Sequence, residues 1–290
     1  MSTGMKITLL LLTLTLFSSK AQTLSQQSNL FPQKERTIRI MSYNIHHGQG
    51  MDNKMDVERI GKLIIDIQPE VIGLQEVDSM VNRSGNIDIL QLLSTQTGMY
   101  ATFGYSILHD GGKYGNGMLT REKPLTVDKI ALPDIREARS ALIVELKDYV
   151  VINTHFSLDE AERIESVKII ADWAKKYDKP VFLIGDLNAT PDSPPLEILK
   201  KEWQILSNPK QPTSPSINPV RTIDYVLGYV SNGQTYTKHN AQVIDEQVAS
   251  DHRPLFVDIQ LKNRINHEKV YLPYDLPPCD DANEGTRNAQ

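Results

Sequence analysis

The sequence predicts a single α/β domain that contains much antiparallel sheet. From Thr37 onward, apolar runs rich in β-branched and aromatic residues alternate with segments of helical periodicity. We find no internal repeat and no linker that would divide this region into two units. A chain of 290 residues has room for one large domain or two small ones, so the missing linker favours one.

The individual elements follow from the same patterns. Helices are predicted at 55–68, which Pro69 ends, at 87–97, which Gly98 closes, and at 160–177. The prolines and polar residues of 207–221 predict a loop. The strand-like runs cover 37–45, 70–77, 100–107, 115–120, 124–132, 139–156, 181–187, 222–229 and 254–261. We expect the run 139–156 to be a hairpin that turns near Lys147.

Residues 1–21 are typical of a secretory signal peptide. Lys6 precedes an apolar run that is too short to span a bilayer comfortably, and small residues around Ala21 resemble a cleavage site. We therefore expect a secreted or periplasmic protein without a transmembrane segment after cleavage. The expected domain covers residues 22–262, and residues 263–290 form a polar tail that holds the lone cysteine, Cys279.

The charge balance makes nucleic acid a disfavoured partner. The chain has 31 basic and 36 acidic side chains, for a net charge of −5. Residues 1–21 contain two lysines and no acid, so cleavage leaves 29 basic against 36 acidic side chains, or −7. Proteins that bind the nucleic acid backbone usually carry a basic surface, and this composition has no such surplus.

Acidic, amide and histidine residues stand at the ends of the predicted strands. A polar side chain at such a position is costly to bury unless it is paired or binds a metal. The carboxylates and amides provide the oxygen ligands that a hard divalent cation prefers, and histidine transfers protons near neutral pH. The pattern predicts metal-assisted phosphoester hydrolysis. The residues concerned are Asn44, Glu76, His155, Asp186, Asn188, Asp224, Asp251 and His252.

Seven short motifs around these residues carry a family resemblance. They are SYNIHHG, GLQEVD, GNGMLTR, NTHF, GDLNATP, TIDYV and SDHRP, in this order. Together they resemble the endonuclease/exonuclease/phosphatase superfamily, and the match runs from about Thr37 to Leu261. The resemblance implies a four-layer sandwich, in which two mixed β-sheets pack face to face between outer helices. It also implies a metal-dependent hydrolase that acts on phosphoester bonds.

The resemblance implies a magnesium site. Glu76, with Asn44 beside it, resembles the principal Mg²⁺ ligand set of the family, and Asp251 resembles an outer metal ligand. Mn²⁺ is the expected substitute for Mg²⁺.

The resemblance also implies the catalytic groups. Asp186 resembles the residue that orients or deprotonates the attacking water, and Asn188 resembles its partner. His252 and His155 resemble the two histidines that contact the scissile phosphate, with Asp224 fixing the ring of His252.

Several further residues have two open interpretations. Asn116 is either a plain residue of a glycine-rich turn or a contact to the phosphate or to metal-bound water. Arg139 is either a surface charge or a group near the site. His46 and His47 either line the mouth of the site or bind metal; we favour the first, because ligands usually arrive at a spacing that shares a face.

The segment after Glu76 bears on the substrate. DNase-like members carry a basic residue where this chain has Asp78, and an acid there would repel a phosphate backbone. The following DSMVNRSGNID resembles a secreted bacterial branch of the superfamily that is similar to GPI-lipid-remodelling proteins. Arg83 in this segment either meets a substrate phosphate or pairs with Asp88 across a turn, and pairing is the favoured expectation.

These observations predict an enzyme that acts on a small-molecule or lipid-headgroup phosphoester. One alternative is an extracellular DNase-like endonuclease. The alternative of another class is a binding module that kept the fold and lost catalysis; such a module would be expected to lack Asp186 or His252, and both are present.

Overall fold

Two six-stranded β-sheets pack face to face in the computed structural model, which describes residues 36–230 and 236–262. The predicted signal peptide at 1–21 and the predicted tail at 263–290, with Cys279, lie outside the described residues. Within the described ranges, no helix combines the length and the apolar composition needed to cross a membrane.

Twelve strands and four α-helices alternate along the described chain. The strands are β1 Arg36–Asn44, β2 Val71–Ser79, β3 Tyr100–His109, β4 Gly112–Thr120, β5 Thr126–Leu132, β6 Arg139–Glu145, β7 Val150–His155, β8 Val181–Asp186, β9 Trp203–Ile205, β10 Asp224–Tyr229, β11 Tyr236–Val243 and β12 Leu255–Leu261. The helices are α1 Val57–Ile67, α2 Ile89–Thr97, α3 Glu160–Ala174 and α4 Pro194–Leu199.

Both sheets are mixed, with one parallel pair near the middle of each. The first sheet has the order β11-β12-β1-β2-β4-β3, and the second has the order β5-β6-β7-β8-β10-β9. β1 is parallel to β2 and β7 is parallel to β8, whereas the other pairs are antiparallel. Short connections cannot join parallel strands, so α1 and α3 make the two crossovers.

Apolar side chains fill three layers between these elements. Residues such as Ile40, Val151 and Val257 form the core between the two sheets. α1 and α2 bury their apolar faces on the outer side of the first sheet, and α3 and α4 do the same on the second. This arrangement confirms the predicted four-layer α/β sandwich.

Three elements were not predicted, and each lacks a strong pattern. β11 is an edge strand whose only buried residue is Tyr236, so it shows no alternation of apolar and polar residues. α4 has six residues and β9 has three, which is too short for periodicity to register. α3 ends at Ala174, three residues before the predicted end.

Candidate active site

The predicted residues converge at one edge of the sandwich, where both parallel pairs end. Asn44 is the last residue of β1, His155 of β7 and Asp186 of β8. Asp224 opens β10 directly opposite Asp186 in the register, and His252 lies shortly before β12. Because the carboxyl ends of parallel strands share an edge, chain-distant residues meet there.

A β-bulge places Glu76 at this edge. The β2–β4 register shifts between Leu74 and Val77, and Glu76 has a left-handed φ of 58°. β2 then continues to Ser79, so the prediction that the strand ends at Glu76 was wrong. A bulge re-aims the side chain of the extra residue, here toward the ends of the neighbouring strands.

Asn153 of the second sheet holds the bulge in place. Its Nδ2 donates to the carbonyl oxygens of Leu74 at 3.0 Å and Gly117 at 2.8 Å, and its Oδ1 accepts from Gln75 Nε2 at 2.7 Å. Asn153 was not predicted as a site residue. The available signal was an amide inside the apolar run VVINTH, where a buried polar group needs partners.

An amide bridges the two central carboxylates. Asn44 Nδ2 donates to Glu76 Oε1 at 3.0 Å and to Asp186 Oδ2 at 3.2 Å. Asn44 Oδ1 accepts the backbone N–H of His46 at 3.1 Å, which fixes the orientation of the amide. A role for Asn44 as a direct metal ligand stays a prediction, because its oxygen is engaged in this arrangement.

Negative charge accumulates around Glu76. Burial raises the pKa of Glu76, and the charges of Asp251 and Asp186 raise it further, although the hydrogen bond from Asn44 opposes the shift. Asp251 is half-buried and accepts from Ser250 Oγ at 3.3 Å. Closely spaced carboxylates favour a bound cation, and their hard oxygen donors fit a divalent metal ion. The site is therefore a candidate metal site.

Asp186 faces two histidines whose pKa values are displaced in opposite directions. Asp186 Oδ2 lies 3.5 Å from His155 Nε2 and 3.8 Å from His252 Nε2. Burial lowers the pKa of His155 to about 4, against the charge of Asp186. Burial also acts to lower the pKa of His252, but the charges of Asp224 and Asp186 outweigh it and raise this pKa to about 10.

Two further hydrogen bonds orient these groups. Asp224 Oδ2 lies 2.9 Å from His252 Nδ1, which turns Nε2 toward Asp186, and it also accepts from Thr213 Oγ1 at 2.5 Å. Asp186 Oδ1 accepts the backbone N–H of Asn188 at 2.9 Å. Thr213 was not predicted, because it lies in the loop 207–221, where polar residues are ordinary.

Asn116 and Arg139 lie near the site but are held by protein partners. Asn116 belongs to β4, not to a turn, and its Nδ2 donates across the sandwich to the carbonyl oxygen of Ser140 at 2.8 Å. Arg139 has a side chain that is only 10% exposed and forms ion pairs with Asp134 and Glu137. The interpretation of Asn116 as a plain turn residue was therefore wrong, and so was that of Arg139 as a surface charge.

Arg83 pairs with Asp78, not with Asp88 as expected. Its Nε and Nη2 donate to the two Asp78 oxygens at 2.8 and 2.9 Å. Asp88 instead accepts the backbone N–H of Gln91 at the start of α2 and the hydroxyl of Ser79. Asp78 is fully buried and its charge is paired with that of Arg83, so the expected repulsion of a phosphate backbone stays a prediction.

Comparisons with known proteins agree with this fold. Residues 41–252 match the model of the "Endonuclease/Exonuclease/phosphatase family". No curated protein sequence matches the chain.

Similar solved structures come from several bacteria. The endonuclease/exonuclease/phosphatase of Beutenbergia cavernae is 23% identical over 79% of this chain and 72% of its own, with a TM-score of 0.64. That of Bacteroides vulgatus is 19% identical over 78% of this chain and 100% of its own, with a TM-score of 0.65. The mannosyl-6-phosphatase Bt3783 of Bacteroides thetaiotaomicron is 15% identical over 77% of this chain and 99% of its own, with a TM-score of 0.63.

These likenesses establish the fold, and the family match covers most of the chain. The chain therefore belongs to the endonuclease/exonuclease/phosphatase family of phosphoester hydrolases.

Proposed function

We propose that this chain is a secreted, Mg²⁺-dependent phosphoesterase that hydrolyses a small-molecule or lipid-headgroup phosphoester with a metal-activated water. The observation that carries the proposal is the position of Asp186. Its carboxylate lies within 4 Å of both histidine Nε2 atoms, and Asn44 links it to Glu76. The Asp186 carboxylate thus lies beside both the candidate metal site and two histidines that can donate hydrogen bonds to a phosphate.

The residues have separate roles in this proposal. Glu76, assisted by Asn44 and Asp251, would hold the metal ion, which would offset the negative charge that a phosphoester gains in the transition state. Mn²⁺ is the expected substitute. Asp186 orients and deprotonates the attacking water, while the N–H of Asn188 keeps its carboxylate in place.

The two histidines contact the phosphate. Asp224 fixes the ring of His252 so that Nε2 donates to a phosphate oxygen, and His155 approaches from the second sheet. Asn116, Arg139 and Arg83 remain proposed substrate contacts, each held by a protein partner beside the site. No covalent enzyme intermediate is required, because the attacking group is water.

Two observations support a substrate other than nucleic acid. Two arginines beside the site, Arg83 and Arg139, are both paired with carboxylates, so neither adds a free positive charge. The chain without residues 1–21 carries a formal charge of −7, from 29 basic and 36 acidic side chains. The similar structure from Bacteroides thetaiotaomicron is that of a mannosyl-6-phosphatase, an activity that is compatible with a small phosphoester substrate.

Substitution of the central carboxylate tests the mechanism. We expect Asp186→Asn to reduce turnover by at least about 100-fold, because an amide cannot accept the proton of the attacking water. His252→Gln should also reduce turnover strongly. The control is Asp172→Asn, on the exposed face of α3, which should leave turnover unchanged. Full activity in both site variants, with folding verified by circular dichroism, would disprove the mechanism.

A substrate panel separates the proposed function from its alternatives. The protein should be stripped with EDTA, reloaded with Mg²⁺ or Mn²⁺, and assayed on sphingomyelin, phosphoinositides, sugar phosphates, bis-p-nitrophenyl phosphate and plasmid DNA. Metal-dependent hydrolysis of a small or lipid phosphoester is expected. Rapid nicking of DNA would favour the DNase-like alternative, and inactivity on every substrate would favour the binding module.

A further inference from the structure

Two adjacent histidines lie beside Glu76, on the first sheet's side of the candidate metal site. One ring nitrogen each of His46 and His47 and a carboxylate oxygen of Glu76 lie within 4.8 Å of one another. The two rings meet edge to face, with centroids 4.5 Å apart. Consecutive side chains usually diverge, but both histidines have left-handed φ values, 44° and 46°, and this turn brings their rings together.

Gln49 determines which ring nitrogens are available. His46 Nδ1 lies 3.1 Å from the backbone oxygen of Gln49, and His47 Nε2 lies 3.3 Å from its side-chain Oε1. The Gln49 amide is oriented by its own Nε2, which donates to Asn53 Oδ1. Carbonyl oxygens only accept hydrogen bonds, so these two ring nitrogens carry the protons. His46 Nε2 and His47 Nδ1 are left with lone pairs.

The surroundings of His47 Nδ1 indicate that this nitrogen binds a ligand. The His47 side chain is buried, with 8% of the residue exposed, and Nδ1 has no hydrogen-bond partner among the described residues. An unpaired buried nitrogen costs free energy unless a ligand occupies it. In metal sites, a ligating histidine almost always donates its other ring N–H to a carbonyl or carboxylate, as both histidines do here through Gln49.

We infer that His46 Nε2, His47 Nδ1 and the Glu76 carboxylate form a second metal site, which binds Zn²⁺. Imidazole nitrogens favour a transition metal over Mg²⁺, and three protein ligands leave the fourth position of a tetrahedral ion open for water or a substrate oxygen. Glu76 would be shared with the oxygen-lined site beside Asp186. The inference goes beyond the proposed function and does not depend on it, because binding can be measured without substrate.

The test measures Zn²⁺ binding to the EDTA-stripped full chain by calorimetry in excess Mg²⁺, which keeps the oxygen-lined site filled. We expect one Zn²⁺ per chain that Mg²⁺ does not displace. The double variant His46→Asn/His47→Asn should bind Zn²⁺ about 100-fold more weakly, since each change removes a ligand. Asparagine is chosen because it tolerates left-handed φ values better than most other residues that have a side chain.

Two further variants keep the test decisive. Gln49→Leu retains both histidines but removes the acceptor at His47, and it should weaken Zn²⁺ binding about tenfold. His239→Asn, on the exposed strand β11, is the matched control and should bind Zn²⁺ as the wild type does. Co²⁺ substituted into the site should give visible d–d bands that the double variant loses. Absence of Zn²⁺ binding, or equal affinity in the wild type and the double variant, would overturn the inference whatever the hydrolase assays show.

Discussion

At the scale of single residues, the ion pair of Asp78 and Arg83 is unusual because its carboxylate is buried while its arginine is partly exposed. Asp78 is fully buried in β2, whereas the Arg83 side chain is 35% exposed and lies over the ring of Tyr114 at 5.3 Å. A carboxylate in this environment depends on its partner, because the desolvation of a charge is costly. The pair therefore anchors the segment after the bulge to the sheet that carries Glu76.

A single and a double variant test this anchoring. Arg83→Met should lower the free energy of unfolding by about 3 kcal/mol, because it leaves the Asp78 charge buried and unpaired. Asp78→Asn/Arg83→Met should recover much of that loss, since the amide carries no charge. Urea denaturation measures both values. Equal destabilisation by the single and double variants would contradict the argument.

At the scale of elements, a charged pair joins β1 to β12. Arg39 and Asp258 are direct partners in the register, and Arg39 donates from Nε and Nη2 to the two Asp258 oxygens at 2.7 and 3.0 Å. The guanidinium also stacks 4.1 Å from the Phe256 ring and donates to the carbonyl oxygen of Ile67, the last residue of α1. One side chain thus links two strands and a helix.

The stability contributed by this pair should depend on pH. The hydrogen bonds from Arg39 lower the pKa of Asp258, so the stabilisation is complete above the unfolded-state value of about 3.9 and is lost as pH falls through the lower folded value. Asp258→Asn should cost about 1–2 kcal/mol near pH 7, and the difference from the wild type should shrink below about pH 4. Denaturation at a series of pH values measures this difference, and the exposed Glu58→Gln variant on α1 is the control for the loss of a surface carboxylate. If the difference in stability between the wild type and Asp258→Asn is the same at about pH 7 and pH 3, the proposed role of the Arg39–Asp258 pair is refuted.

At the scale of the whole molecule, the site depends on how the two sheets pack. Glu76 and Asn44 belong to the first sheet, whereas Asp186 and His155 belong to the second. The amide of Asn153 crosses between the sheets and supplies donors to two carbonyl oxygens beside the bulge. The packing of the sheets therefore sets the distance between Glu76 of the candidate metal site and Asp186.

Removal of the Asn153 amide tests this dependence. Asn153→Leu has a similar size but no donors, so it should lower the free energy of unfolding by about 2–3 kcal/mol and weaken metal binding as the bulge relaxes. The matched control is Asn82→Leu, which removes an exposed hydrogen bond to Asp110 and should change stability by less than about 0.5 kcal/mol. Chemical denaturation and metal titration measure the two effects. Equal losses in both variants would show that the cross-sheet amide has no special role.

Most of the described strands and the three longer helices were predictable because their signals are local. An apolar run of the right length marks a buried strand, and a carboxylate or histidine at its end marks a position where a polar group must find a partner. Asp186, with its strand VFLIGD and the following Asn188, is the clearest example. β11 escaped prediction because its residues are mostly exposed and polar.

The directions and partners of the side chains arose from contacts between segments distant in the chain. The bulge at Glu76 needs the amide of Asn153 from the opposite sheet, and no sequence spacing encodes that pairing. Arg83 pairs with Asp78 because the chain turns back on β2. The left-handed turn at His46 and His47 brings together two rings that adjacent positions in the chain would otherwise separate. Local sequence patterns therefore predicted which residues would form the candidate active site, whereas contacts between distant segments decided the geometry of their side chains.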